Sequence, residues 1–217
     1  HGQKTHYGVA LLSKSEPVES FRGFAGDNEY SQKRVVGGSF TTRDGTILSV
    51  INGYFPQGES RKHATKFPAK EKFYSDLTKH IKHNFKPDDL LFVIGDMNVA
   101  PVDEDIGIGA DNKKRWLSDG KTSFLPEERE WLTTLGNWGL ADTYRHLYPE
   151  IDDRFSWFDY RSKGFEREPK RGLRIDLIMA SKGAMPECID AGIDYDIRGM
   201  EKPSDHCPIW AEFSIQI

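Results

Sequence analysis

The stretch Asp88–Pro101, DDLLFVIGDMNVAP, decides how the rest of the chain is read. Leu90–Ile94 is an unbroken apolar run, the pattern of a strand that lies inside a protein. Gly95 follows, then Asp96 and Asn98 on either side of Met97. A buried strand that ends in a carboxylate and a carboxamide on one face places polar groups where an α/β sheet collects its sites, at strand ends.

Working outward, Tyr7–Leu12, Arg34–Thr41 and Thr46–Tyr54 read as strands, with Asp44-Gly45 as a hairpin signal between the last two. Phe67–Phe85 reads as a helix, because Phe73, Leu77 and Ile81 recur every fourth residue and form one apolar stripe. Val102–Ser123 has no clean period and carries Gly107, Gly109 and Gly120, which predicts a long surface loop. Pro126–Leu140 is a second helix: Pro126 suits its first turn, Glu127 and Glu128 complement its dipole, and Gly139 stops it. Asp142 is placed to cap a short helical turn running to His146. Strands are expected again at Phe155–Tyr160, Leu173–Ala180, Ile189–Tyr195 and His206–Ile215. The mixture predicts an α/β or α+β layered sandwich. No repeat or linker divides residues 1–217, so one domain is expected.

Composition narrows the classes. A hydrophobic fraction of 37% and a charged fraction of 29% suit a folded globular chain and exclude a disordered one. No apolar run reaches membrane-spanning length. The net charge of −4 argues against non-specific coating of nucleic acid, but leaves room for an enzyme with a local basic track around an acidic centre. Cys188 and Cys207 form no metal-type pair; as free thiols they point to a reducing compartment, the cytoplasm.

Four polar features interrupt segments that should be buried: Asp96 with Asn98; Asn52 and Tyr54 at the end of their strand; Asp176 within LRIDLIMA; and Asp205-His206 opening the last strand. Each type of group binds metal or phosphate. Together they suit hydrolysis of a phosphodiester. A hard oxygen ligand such as Asp205 favours Mg²⁺. Asp96 can take a proton from water that Asn98 orients. His206, held by Asp176, can donate to a phosphate oxygen. No phosphate-cradling G-x-x-x-x-G-K-[ST] loop is present.

The segments INGYFPQGES (51–60), GDMNVAP (95–101), FLPEEREW (124–131), DRFSWFDYRSKGF (153–165), RGLRIDLIMAS (171–181) and MEKPSDHCPIW (200–210) resemble, nearly end to end, the exonuclease III-type DNA-repair branch of the exonuclease–endonuclease–phosphatase superfamily. That resemblance implies a four-layer α/β/β/α sandwich of DNase I-like type. It implies a Mg²⁺-dependent nuclease, with Mn²⁺ as a possible substitute, acting on double-stranded and abasic-site DNA. Its activities would be 3′-to-5′ exonuclease, abasic-site endonuclease and 3′-phosphatase. By the same resemblance Tyr54 contacts the scissile phosphate, Asp96 activates water, Asn98 positions it, Asp176 orients His206, His206 polarises the phosphate, and Asp205 lies at the metal. Trp157, Leu173 and Ile175 would line an abasic pocket, and Asn112 matches a DNA-contact position. The family implies a nucleoid-associated cytoplasmic enzyme, a monomer when full length, with no membrane partner.

The family's opening strands, with F-N-x-N-G and a Q-E-T-K whose Glu is the main metal ligand, find no counterpart. The chain is therefore expected to lack the N-terminal part of the family's fold and to be inactive alone. The rival expectations are a non-catalytic DNA-binding fragment, or a phosphodiesterase acting on another phosphate ester.

Overall fold

The computed structural model describes all 217 residues. Its centre is a six-stranded sheet built from β1 (Glu19–Arg22), β2 (Val35–Thr41), β3 (Ile47–Tyr54), β4 (Leu90–Asp96), β5 (Leu140–Asp142) and β6 (Asp176–Ser181), in the spatial order β1-β2-β3-β4-β6-β5. Only β3 and β4 run parallel; the helix α1 (Lys66–Asn84) makes the crossover between them. A second sheet pairs β7 (Cys188–Ile193) with β8 (Ile209–Phe213).

The apolar run in β4 has its explanation in two cores. Leu91 and Val93 face one side, where Phe73, Tyr74, Leu77 and Ile81 of α1 meet Leu132 and Leu135 of α3 (Pro126–Trp138). Phe92 faces the other side, where Phe40, Leu48 and Ala180 pack with Phe213 of the second sheet and with Ile215 just beyond it. Helices, sheet and sheet are thus stacked in that order, and the α/β class is as expected. No helix is long and apolar enough to cross a membrane.

Several local expectations need correction. Tyr7–Leu12 is not a strand: Tyr7 sits at φ 66°, and the segment makes only an isolated bridge between Gly2 and Gly8. The short strand β1 lies instead at Glu19–Arg22. Val102–Ser123 is not all loop, because it holds a 3₁₀ turn at Asp103–Asp105 and the helix α2 (Ala110–Asp119). That helix escapes periodicity because only the adjacent Trp116 and Leu117 pack on the core and neither is fully buried, while Gly120 closes it at φ 70°. Phe155–Tyr160 contributes only single-residue bridges, Trp157 pairing with Leu173 and with His206. Asp176 opens β6 rather than standing mid-strand, and Asp205 and His206 precede β8. Ile189–Tyr195 overruns: β7 stops at Ile193, and Tyr195 begins the single turn α5 (Tyr195–Arg198), capped by Asp194. The cap at Asp142 forms as read, its carboxylate accepting from the backbone N–H groups of Tyr144 and Arg145 at the start of α4 (Thr143–Leu147).

Candidate active site

The register of the central sheet aligns three of the singled-out residues. Tyr54 of β3 pairs with Asp96 of β4. Asp96 in turn pairs with Asp176 of β6. One rung at the strand ends therefore carries a phenol and two carboxylates from segments far apart in sequence.

The turn after β4 fixes the first carboxylate. Gly95 adopts φ 129° against β3, and a Cβ there would lie 2.0 Å from the carbonyl oxygen of Gly53. Asn98 takes φ 55°, a left-handed conformation that Asn tolerates better than most residues. Its backbone N–H donates to Oδ1 of Asp96 at 2.9 Å, and its Nδ2 donates to Oδ2 at 2.7 Å and to the Phe55 carbonyl at 3.0 Å. The turn is pinned from below as well. Tyr74 donates its hydroxyl to the Met97 carbonyl at 2.7 Å, and Met97 donates its N–H to the Ile175 carbonyl.

Lys70 lies beneath the same turn. Its Nζ donates to the Asn98 carbonyl at 2.9 Å and to Glu128 at 2.5 Å, and both side chains are fully buried. The other oxygen of Glu128 accepts the N–H groups of Ser123 and Leu125 at the start of α3. The sequence presents Glu128 only as a complement to the helix dipole. The signal for its partner is phase: Lys70 stands three and four residues before the buried Phe73 and Tyr74, in line with the apolar stripe.

The second carboxylate has its own support. Ser156, fully buried, accepts the N–H groups of both Ile175 and Asp176 on its hydroxyl at 3.0 Å. Asp176 then accepts Nδ1 of His206, at 2.8 Å from Oδ2 and 3.1 Å from Oδ1. Nothing in the sequence around Ser156 flags it, since its effect depends on a strand twenty residues away.

These contacts set the proton affinities. Burial first, and the charge of Asp176 second, push the carboxyl of Asp96 up to about 7; His206 and Lys70 pull the other way. Burial alone would lower His206, but its hydrogen bond to Asp176, that carboxylate's charge, and the charges of Asp96 and Asp205 outweigh it and raise the imidazole to about 9. Burial and the charge of Asp96 raise the Tyr54 phenol. The Arg34 guanidinium lies over the rings of Tyr7 and Tyr54, 3.8 and 4.7 Å from their centroids, and donates to the Tyr54 carbonyl. At neutral pH the arrangement holds a carboxylate poised to take a proton beside an imidazolium able to give a hydrogen bond.

Asp96, Asp176 and His206 offer three ligand atoms within 4.8 Å of one another. Nδ1 of His206 is already engaged by Asp176, and a protonated imidazole is no ligand. Asp205 differs: Oδ2 accepts the Trp157 indole N–H at 3.0 Å, and that is its carboxylate's one protein hydrogen bond. The donor chemistry fits a hard divalent cation through carboxylate oxygen, and such ions are held by as few as one or two carboxylates.

The residues read as an abasic pocket divide. Trp157 borders a cavity of about 150 Å³ that Asn112 also lines. Leu173 and Ile175 are buried in a small core with Ala100, Ile108 and Phe124, and do not border that cavity. Asn112 spends its side chain internally, donating to the Ile108 carbonyl and accepting from Arg115.

Known proteins share both this sequence and this fold. The model of the endonuclease/exonuclease/phosphatase family matches residues 1–206. The chain is 58% identical over 213 residues to exodeoxyribonuclease III of Haemophilus influenzae, covering 98% of this chain and 79% of that one. It is 28% identical to an exodeoxyribonuclease of Bacillus subtilis, over 95% of this chain and 74% of the relative. Among solved structures, a 3′ phosphatase, NExo, from Neisseria bound to a product DNA hairpin superposes with a TM-score of 0.80 at 31% identity, covering 93% of this chain and 73% of that one. An AP endonuclease from Archaeoglobus fulgidus superposes with a TM-score of 0.79 at 28% identity, covering 92% and 72%. By the extent of the family match and the identity to these relatives, the chain belongs to the endonuclease/exonuclease/phosphatase family.

Proposed function

We propose that the protein is a Mg²⁺-dependent DNA-repair nuclease, in which Mn²⁺ can substitute, that hydrolyses phosphodiesters of duplex DNA at 3′ ends and on the 5′ side of abasic sites, and also removes 3′-phosphates. The observation that carries this reading is the single rung Tyr54–Asp96–Asp176, closed by the contact of His206 with Asp176. The relatives' described activities, as exodeoxyribonuclease III, 3′ phosphatase and AP endonuclease, support the substrate class.

In this reading Asp96 acts as general base. Each of its oxygens keeps a lone pair beyond the bond from Asn98, so it can accept a proton from water, and its raised pKa matches that task. Asn98 orients that water. The water oxygen attacks phosphorus and the leaving oxygen departs on the opposite side. His206, kept protonated by Asp176, donates to a phosphate oxygen as charge accumulates there. Tyr54 meets the same phosphate, with Arg34 fixing its ring. Asp205 would hold the cation, and the cation when bound would neutralise charge on the phosphate and the leaving oxygen. Trp157 packs against the extruded deoxyribose of an abasic site, with Leu173 and Ile175 as the floor behind it.

The test compares two substrates. Trp157→Ala reduces incision at an abasic site more than removal of a 3′-phosphate from the same duplex, because only the first needs an extruded sugar. Equal losses in both assays would remove the abasic assignment and leave a general folding role for Trp157.

A further inference from the structure

The cavity beside Trp157 carries arginines that the chemistry above does not use. Its volume is about 150 Å³. Three arginines from two separate segments border it: Arg115 on α2, and Arg167 and Arg171 on the loop before β6. Trp116 and Trp157 supply apolar walls.

The charge on these arginines is not spent inside the protein. The arginines that do pair with carboxylates are elsewhere: Arg61, Arg129, Arg145, Arg154 and Arg174. Arg115 donates from one nitrogen to the Asn112 amide oxygen at 2.8 Å, and Arg167 donates from Nε to the Ser162 carbonyl at 2.9 Å. Both bonds go to neutral acceptors, which aim the guanidinium without neutralising it. The Arg171 guanidinium lies against the start of α2, 3.7 Å from where a Cβ on Gly109 would stand. The lone carboxylate on the wall, Asp159, is occupied by the backbone N–H groups of Arg161 and Ser162. A cavity with three unpaired guanidinium groups, in a chain of net charge −4, is built for an anion with several acceptor oxygens.

We propose that Arg115, Arg167 and Arg171 form a phosphate subsite that grips a backbone phosphate of the bound polynucleotide next to the reacting one. It rests on the nuclease reading above and adds to it a place where the strand is anchored. Trp157 joins the two regions, bordering this cavity and donating to Asp205. The internally bonded Asn112 thereby acts on DNA through Arg115, as a positioning residue.

The experiment measures equilibrium binding of a labelled abasic duplex in EDTA, so that no cleavage occurs, over a series of KCl concentrations. Wild type is compared with Arg115→Gln, Arg171→Gln, the double variant, and Lys79→Gln as an exposed cation on α1 away from the cavity. Removing one neutralised phosphate lowers the slope of log K against log salt by about 0.9. The double variant is expected to show about one such step, while Lys79→Gln keeps the wild-type slope. All the substituted side chains are exposed, and matching thermal melts confirm that folding is intact. An unchanged slope in the double variant, with wild type binding in a salt-dependent way, overturns the subsite and leaves the nuclease reading standing. Absence of salt-dependent DNA binding by wild type overturns both. A final arm adds inorganic phosphate at constant ionic strength. If phosphate binds at the arginines but the DNA slope is the same in all variants, the site serves free phosphate and the polynucleotide assignment is wrong.

Discussion

Asp96 and Asp176 stand directly opposite each other on the antiparallel strands β4 and β6. Two acidic groups that close, under partial burial, resist being charged together unless a cation intervenes. His206 supplies that cation, bonded to Asp176 at 2.8 Å. The proton affinities of Asp96 and His206 are therefore linked through the charge that Asp176 carries between them.

A signed pH profile follows from that coupling. The site needs Asp96 ionised and His206 protonated. With the carboxyl pushed up to about 7 and the imidazole to about 9, turnover rises as pH passes about 7 and falls beyond about 9. Asp176→Asn removes the charge that raises both groups, so both limbs move to lower pH. The check is kcat against pH at fixed ionic strength for wild type and variant. An alkaline limb that stays in place would mean that Asp176 is not what holds the His206 proton.

Ser156 tests how far the support behind Asp176 matters. Ser156→Ala strips two buried N–H groups, of Ile175 and Asp176, of their acceptor. A buried unsatisfied donor costs about 1–3 kcal/mol, so a loss of at least about 2 kcal/mol in urea unfolding is expected. Incision should fall with it, because Asp176 is no longer held in register. Full activity with reduced stability would separate Ser156 from the site.

Lys70 and Glu128 give the largest stability effect expected of a single substitution. Lys70→Met leaves a fully buried carboxylate without its cation, a change that costs about 3–5 kcal/mol. Adding Glu128→Gln restores part of that loss, since the amide oxygen still accepts from Ser123 and Leu125 without carrying charge. Denaturant melts of the two variants decide it. A double variant no more stable than Lys70→Met would show that the unpaired charge is not the cause.

What the sequence disclosed and what it withheld divide along a physical line. Local signals were legible: the two-sided apolar run of β4, the stripe on α1 and the Asp142 cap each act within a few residues. The candidate site residues were legible as residue types out of place. Their meeting was not, because the register that sets Asp96 against Asp176 joins positions eighty residues apart, and no local pattern encodes it. The helix α2 stayed hidden since only Trp116 and Leu117, adjacent in sequence, pack on the core, and two neighbours make no apolar period to detect. Tyr7–Leu12 misled for the opposite reason: its apolar residues look strand-like, yet Leu12 is exposed and the segment pairs with almost nothing. Ser156 and the Lys70–Glu128 pair were hidden by ordinary composition, because their importance lies entirely in what they touch.

The most direct test of the central claim is single-turnover incision of an abasic duplex by the full-length protein at millimolar Mg²⁺, comparing wild type with Asp96→Asn and His206→Asn. General-base and electrostatic groups contribute roughly 10²–10⁴ each. Each variant should therefore lose at least about 10²-fold in rate while DNA affinity changes far less. Near-normal incision by either variant would contradict the assignment of the Asp96–Asp176–His206 unit as the catalytic centre.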